Sequence, residues 1–204
     1  MQSPIICLVT GGGAARALLS LVREAAAAGV SLIQIRERSL DDRALLALTR
    51  EAVEATRDTG CRVVVNDRLD IAIASQAAGV HLRGESFPAG RVRAMAPRGF
   101  LVGQSVHGVD EAVAAAHSGC DYLVFGTVFP SRSKPDAHPV AGLGQLHKVS
   151  TAVQIPVIAI GGISLENAAA TISAGASGVA AIDLFRSGPA LAEIVSSLRR
   201  PFDT

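Results

Sequence analysis

The chain has 204 residues with a net charge of +1, 49% hydrophobic and 18% charged residues, and 3% aromatics with no Trp. That length fits one compact domain spanning 1–204 with a sizeable core. The charge excludes a nucleic-acid surface driven by bulk positive potential, and the scarcity of aromatics leaves no stacking platform for bases.

Short β-branched runs alternate with amphipathic or Ala-rich segments along the whole chain. Strands are expected at Ile5–Thr10, Leu32–Glu37, Val63–Asn66, Gly79–Leu82, Leu101–Val106, Tyr122–Gly126, Val157–Ile160 and Val179–Ile182. Helices are expected between and after them, at Ala14–Ala28, Asp41–Thr59, Asp70–Ala78, Ala89–Ala96, Asp110–Ser118, Leu143–Thr151, Ser164–Ala174 and Pro189–Leu198. Asp41, Asp110 and Ser164 stand where N-caps belong, and Gly29, Gly60, Gly119 and Gly175 follow helical patterns as C′ glycines do. Eight strand–helix units predict a parallel sheet closed into a (β/α)8 TIM barrel, an α/β fold. The longest aperiodic stretch is Phe129–Gly142, with three prolines and the cations Arg132 and Lys134. Long irregular segments of this kind in a compact domain are functional lids or are disordered.

Cys7, Cys61 and Cys120 are odd in number and far apart, with no metal-ligand spacing. Reduced, buried thiols in a cytoplasmic protein are the expected state. The first residues lack a basic segment of the signal-peptide kind, and no apolar run is long enough to cross a bilayer, so no membrane partner is expected.

In such a barrel the active site forms at the carboxyl ends of the strands. The expected strands end in Thr10-Gly-Gly-Gly, in Gln34, Arg36 and Arg38, in Asn66-Asp67, in His81, in Ser105 and His107, in Gly126-Thr127, in Gly161-Gly162 and in Asp183. Strand alternation puts Gln34, Arg36 and Arg38 on one face and Ser31, Ile33, Ile35 and Glu37 on the other. An amide and two guanidiniums on one side of a strand end suit anion binding, since the guanidinium fork matches phosphate and carboxylate; a solvated edge strand is the plain alternative. Gly161-Gly162 can bring backbone N–H groups to a phosphate or form an ordinary loop. Asn66-Asp67 offers one carboxylate to a metal or a simple strand-end turn. His81, between Val80 and Leu82, reads as a core residue, and His117 and His147 as surface residues.

The segments QIRER at 34–38, VVNDRLDIA at 64–72, GVHL at 79–82, GQSVHGVDEA at 103–112, DYLVFGTVFPSRSKP at 121–135 and IPVIAIGGI at 155–163 resemble, in order and spacing, the thiamine phosphate synthase/TenI family. The resemblance implies a barrel acting on the thiazole phosphate half of thiamine. Its synthase branch joins a pyrimidine diphosphate to thiazole phosphate, expels pyrophosphate and uses Mg²⁺. Gln34, Arg36, Asn66 and Asp67 match that branch, whereas Arg38 stands for a lysine and Ser86 for a second metal aspartate, with Glu85 one residue away. The TenI branch, thiazole tautomerase, resembles the chain more closely through Ile35–Ser39, Ser86-Phe87 and Ser105-Val106-His107.

The resemblance therefore implies an isomerase, with His107 as the proton shuttle. Gln34, Arg36, Arg38, Asn66, Ser105, Thr127, Ser133, Lys134, Gly161 and Gly162 would bind a doubly anionic thiazole phosphate. No cofactor is expected on that reading. The alternative implied by the same resemblance is the Mg²⁺-dependent synthase, with Asp67 as metal ligand. A third is a non-catalytic thiazole-phosphate-binding protein. Asp183 would face the phosphate site unless Arg186 offsets its charge. The resemblance also suggests a homodimer.

Overall fold

A computed structural model describes residues 4–131, 139–186 and 190–200. Eight parallel strands close into a barrel in chain order: β1 (Ile5–Val9), β2 (Leu32–Ile35), β3 (Arg62–Asn66), β4 (Gly79–Leu82), β5 (Leu101–Val106), β6 (Tyr122–Phe125), β7 (Val157–Ile160) and β8 (Gly178–Ala181). The closing pair is β1 with β8, in the register Ile5↔Gly178 to Leu8↔Ala181. The helices that return the chain are α1 (Ala15–Ala27), α2 (Asp42–Thr56), α3 (Leu69–Ala74), α4 (Ala89–Met95), α5 (Val109–His117), α6 (Gly142–Ala152), α7 (Ala168–Ser173) and α8 (Leu191–Arg199). The eightfold strand–helix alternation expected of a (β/α)8 barrel is present. Among the described residues, no helix is long and apolar enough to cross a membrane.

Two apolar layers follow from the period of two along each strand. Outward-facing Ile6, Leu8, Ile33, Ile35, Val63, Val65 and their counterparts pack under the helices. Inward-facing Cys7, Val9, Leu32, Val64, Tyr122, Val124, Ile158 and Ala180 fill the barrel. The one tyrosine fits inside because Gly103 faces it: a Cβ there would lie 2.1 Å from Tyr122 Cζ. The three cysteines are free and buried, and burial raises all three thiol pKa values, so they stay protonated.

Several local expectations are corrected. Asp41 does cap α2, accepting the Ala44 N–H at 2.8 Å. Asp110, however, lies in the first turn of α5, whose N-cap is Gly108. α7 starts after a turn, and Asn167 Oδ1 accepts the Ser164 N–H at 2.8 Å, so Asn167 rather than Ser164 precedes the helix. Gly29, Gly119 and Gly175 take left-handed φ values of 91°, 91° and 95°. Gly60 does not, because α2 already ends at Thr56. The expected start of the last helix at Pro189 lies outside the described residues.

Candidate active site

The carboxyl ends of β2, β3 and β4 carry the charged groups of the barrel mouth. β1 prepares this end: buried Thr10 accepts the Arg36 N–H on its hydroxyl at 2.8 Å and donates its own N–H to Gln34 O at 3.0 Å. Gln34 is buried inside the barrel beside Val9 and Val64. Arg36 is half-buried, and its guanidinium meets no partner among the described residues. Burial first, then the charges of Arg38 and Arg83, lower its pKa, while Glu37 opposes them. Arg36 and Arg38 follow β2 and Arg83 follows β4, the next strand but one around the mouth. Both arginines lie past the end of β2; the bond of the Arg36 N–H to Thr10 holds Arg36 at the strand end, whereas Arg38 is exposed.

β3 ends in Asn66, which pairs with His81, and then in Asp67. Asp67 takes a left-handed φ of 62°, a conformation Asp tolerates better than most residues, and its N–H donates to His81 O at 2.8 Å. That bend turns its carboxylate across the end of β4. There Arg83 donates from Nε and Nη2 to Oδ2, both at 2.6 Å, and Ser86 Oγ donates to Oδ1.

Under this rim lies a buried polar row on β4, β5 and β6. His81 Nδ1 sits 3.2 Å from Tyr122 Oη, and Nε2 sits 2.9 Å from Ser105 Oγ. The rings of His81 and Tyr122 are stacked, with centroids 5.7 Å apart. Burial pushes the His81 pKa down to about 4, against a smaller opposing pull from Asp67. The ring is therefore neutral near pH 7. His81 is thus the satisfied core residue its strand pattern implied.

His107 stands exposed at the end of β5. Its Nδ1–H donates to Gly126 O at 2.6 Å, which leaves Nε2 as the free nitrogen, and its backbone N–H donates to Glu111 Oε2 at 2.8 Å. It borders a cleft of about 540 Å³ with Arg83, Glu85, Gln104 and Glu111. This cleft opens between the start of α4 and α5, to the side of the barrel axis.

On the opposite rim, β6 continues into buried Thr127, and the Val128 and Phe129 amides bond to Ile160 O and Gly161 O at 2.9 and 3.0 Å. Gly161 and Gly162 hold φ values of 100° and 62°. Side chains there would strike Thr127 Cγ2 at 2.5 Å and Pro130 O at 2.2 Å. Their own N–H groups donate to no acceptor among the described residues. Ser133 and Lys134 lie outside the described residues.

Two contacts were not read from the sequence. Glu37, two residues past β2 in line with its apolar outer face, is buried and accepts the Gly12 N–H on Oε2 at 3.0 Å, while Oε1 has no partner among the described residues. Arg186, in the 3-10 turn Asp183–Arg186, donates to the carbonyls of Gly11 and Gly12. It thus secures the β1 loop and forms no pair with Asp183. A carboxylate on an otherwise apolar strand face was the available signal for the first contact.

The donor chemistry suits a Mg²⁺ ion that arrives with its substrate. Mg²⁺ is commonly held by one or two carboxylates, phosphate oxygens and water. Asp67 supplies one carboxylate, and no group of three or more His, Cys, Asp or Glu among the described residues makes a complete protein cage.

The family model for thiamine monophosphate synthase matches residues 6–185. The chain belongs to that family. It is 45% identical over 177 residues to the thiamine-phosphate synthase of Methanocella arvoryzae, covering 86% of this chain and 84% of that protein. It is 44% identical over 178 residues to the thiamine-phosphate synthase of Moorella thermoacetica, covering 87% and 84%. A solved thiamine phosphate pyrophosphorylase from Pyrococcus furiosus superposes with a TM-score of 0.84 at 32% identity, covering 97% of this chain and 95% of that one.

These relatives overturn the tautomerase reading and, with it, the isomerase assignment. The physical reason is visible at Ser86. The serine standing for a second metal aspartate keeps a polar contact with Asp67, and the Asn66-Asp67 pair is present at the mouth. The cofactor-free expectation belonged to the tautomerase and goes with it.

Proposed function

We propose that this protein is a thiamine phosphate synthase, a transferase that joins hydroxymethylpyrimidine diphosphate to thiazole phosphate and releases pyrophosphate. The observation that carries this reading is the juxtaposition, at one side of the barrel mouth, of Arg36, Arg38 and Arg83 with the Asn66-Asp67 pair. Such a cluster suits a polyanionic leaving group better than a monophosphate alone. Arg36 and Arg38 take the diphosphate, Arg36 with a guanidinium free of partners among the described residues in partly buried surroundings, where charge interactions are stronger than in water. Gln34 and Asn66 offer amide donors beside them. The free amides of Gly161 and Gly162, with Thr127, receive the phosphate of the thiazole on the far rim, and Ser133 and Lys134 belong to the same proposed set.

Asp67, together with substrate oxygens, would hold Mg²⁺, which neutralises the departing diphosphate. The new bond forms between the pyrimidine methylene carbon and the thiazole nitrogen, whose lone pair is already free. No proton has to move, so His107 has no acid–base step here. The neutral row His81, Ser105 and Tyr122 forms an uncharged floor beneath the rim.

The test is incubation with both substrates and Mg²⁺, with thiamine phosphate quantified by chromatography. Product is expected, with loss on chelation and a loss of at least ~10²-fold in Arg36→Ala, the scale for removing a group that stabilises developing charge. Absence of product under these conditions overturns the proposal.

A further inference from the structure

The Asp67–Arg83 pair has one buried partner and one exposed one. Asp67 is held by its left-handed backbone and by its N–H bond to His81 O, and its side chain is only 17% exposed. Arg83 projects from the end of β4 with its side chain 58% exposed. Arg83 Nε and Nη2 both fall on Oδ2, and Ser86 engages Oδ1, so each carboxylate oxygen already has a donor. A cation that takes Oδ2 must displace the guanidinium from it. Arg83 leaves the end of β4 and Arg36 the end of β2, with β3 and Asp67 between them, so the displaced guanidinium stays at the part of the mouth where the proposed diphosphate would sit.

We propose that Arg83 is an exchangeable counterion: it neutralises Asp67 in the free protein, yields that carboxylate to a divalent cation, and turns to the diphosphate that the cation accompanies. This rests on the synthase reading and adds to it a rule for loading. A lone cation must break an ion pair already formed, whereas a cation arriving with diphosphate gives Arg83 a new anionic partner. Cation and diphosphate therefore bind with positive coupling, and that coupling runs through Arg83. Ser86 keeps its hydroxyl beside the carboxylate in both states.

The test uses Mn²⁺ as the probe, followed by electron paramagnetic resonance on the intact protein without organic substrates. Arg83→Gln is expected to bind Mn²⁺ about tenfold more tightly than the unsubstituted protein, within the usual range of coupling between sites. The gain is expected to vanish in the double variant Asp67→Asn/Arg83→Gln. Calorimetry with inorganic pyrophosphate in the absence of metal is expected to show weaker binding to Arg83→Gln, with Arg83→Lys between the two. Unchanged, weaker or unmeasurable Mn²⁺ binding by Arg83→Gln overturns the inference, as does a gain that persists in the double variant. The Mn²⁺ readout is independent of turnover. If Arg83→Gln tightens Mn²⁺ binding but the protein makes no thiamine phosphate, the function fails and the counterion stands. If product forms but Mn²⁺ affinity is unmoved, the counterion alone fails.

Discussion

Acid is expected to weaken this barrel through one buried ring. In the folded protein, burial holds His81 at a pKa of about 4, down from 6.5. In the unfolded chain the ring returns to its ordinary value and takes up a proton as pH falls below about 6.5. Above that pH both states carry a neutral ring, and the stability tied to His81 is fully present. Between about pH 6.5 and 4 only the unfolded chain gains the proton, so stability falls by about 1.4 kcal/mol per pH unit and the loss ends near the folded pKa, at about 3 kcal/mol. Urea unfolding at pH 7 and pH 4.5, in the unsubstituted protein and in His81→Gln, isolates this share from that of the carboxylates. The unsubstituted protein is expected to lose about 2–3 kcal/mol more than the variant over that interval. Parallel pH profiles would refute the reasoning. So would a direct NMR titration of the folded protein in which the His81 ring titrates near pH 6.5.

Three further outcomes are expected. Gly103→Ala puts a Cβ 2.1 Å from Tyr122 Cζ and should cost about 1–3 kcal/mol or more by overpacking; thermal unfolding should show part of the loss restored in Gly103→Ala/Tyr122→Val. Glu37→Ala removes the acceptor for the Gly12 N–H and should cost about 1–3 kcal/mol, with faster amide exchange at Gly12 by NMR. Asp67→Asn should raise the Mg²⁺ concentration needed for half-maximal thiamine phosphate formation by at least about tenfold, read from a Mg²⁺ titration at fixed substrates.

The eight strands were legible because each apolar run is short, β-branched and followed by a polar or glycine tip. Their ends were less so: β2 stops at Ile35, and beyond it the Arg36 N–H goes to the Thr10 hydroxyl while the Glu37 carboxylate accepts the Gly12 N–H. The inward row Gln34, Asn66, His81 and Ser105 could be read from period two alone. Contacts between elements could not. Asp67 meets Ser86 across nineteen positions of chain, and Arg186 meets Gly12 across 174. The first of these misled the choice between two related chemistries, because a serine read along the chain looks like a missing ligand. Seen beside Asp67 it is a partner. Glu37 was assigned to the correct face by alternation, but nothing local indicated which N–H it would accept.

The most direct test counts both products in one reaction. With hydroxymethylpyrimidine diphosphate, thiazole phosphate and Mg²⁺, one pyrophosphate is expected for each thiamine phosphate formed, and neither in the absence of either substrate. Pyrophosphate released without thiamine phosphate, or no release at all, would contradict a condensation at this barrel mouth.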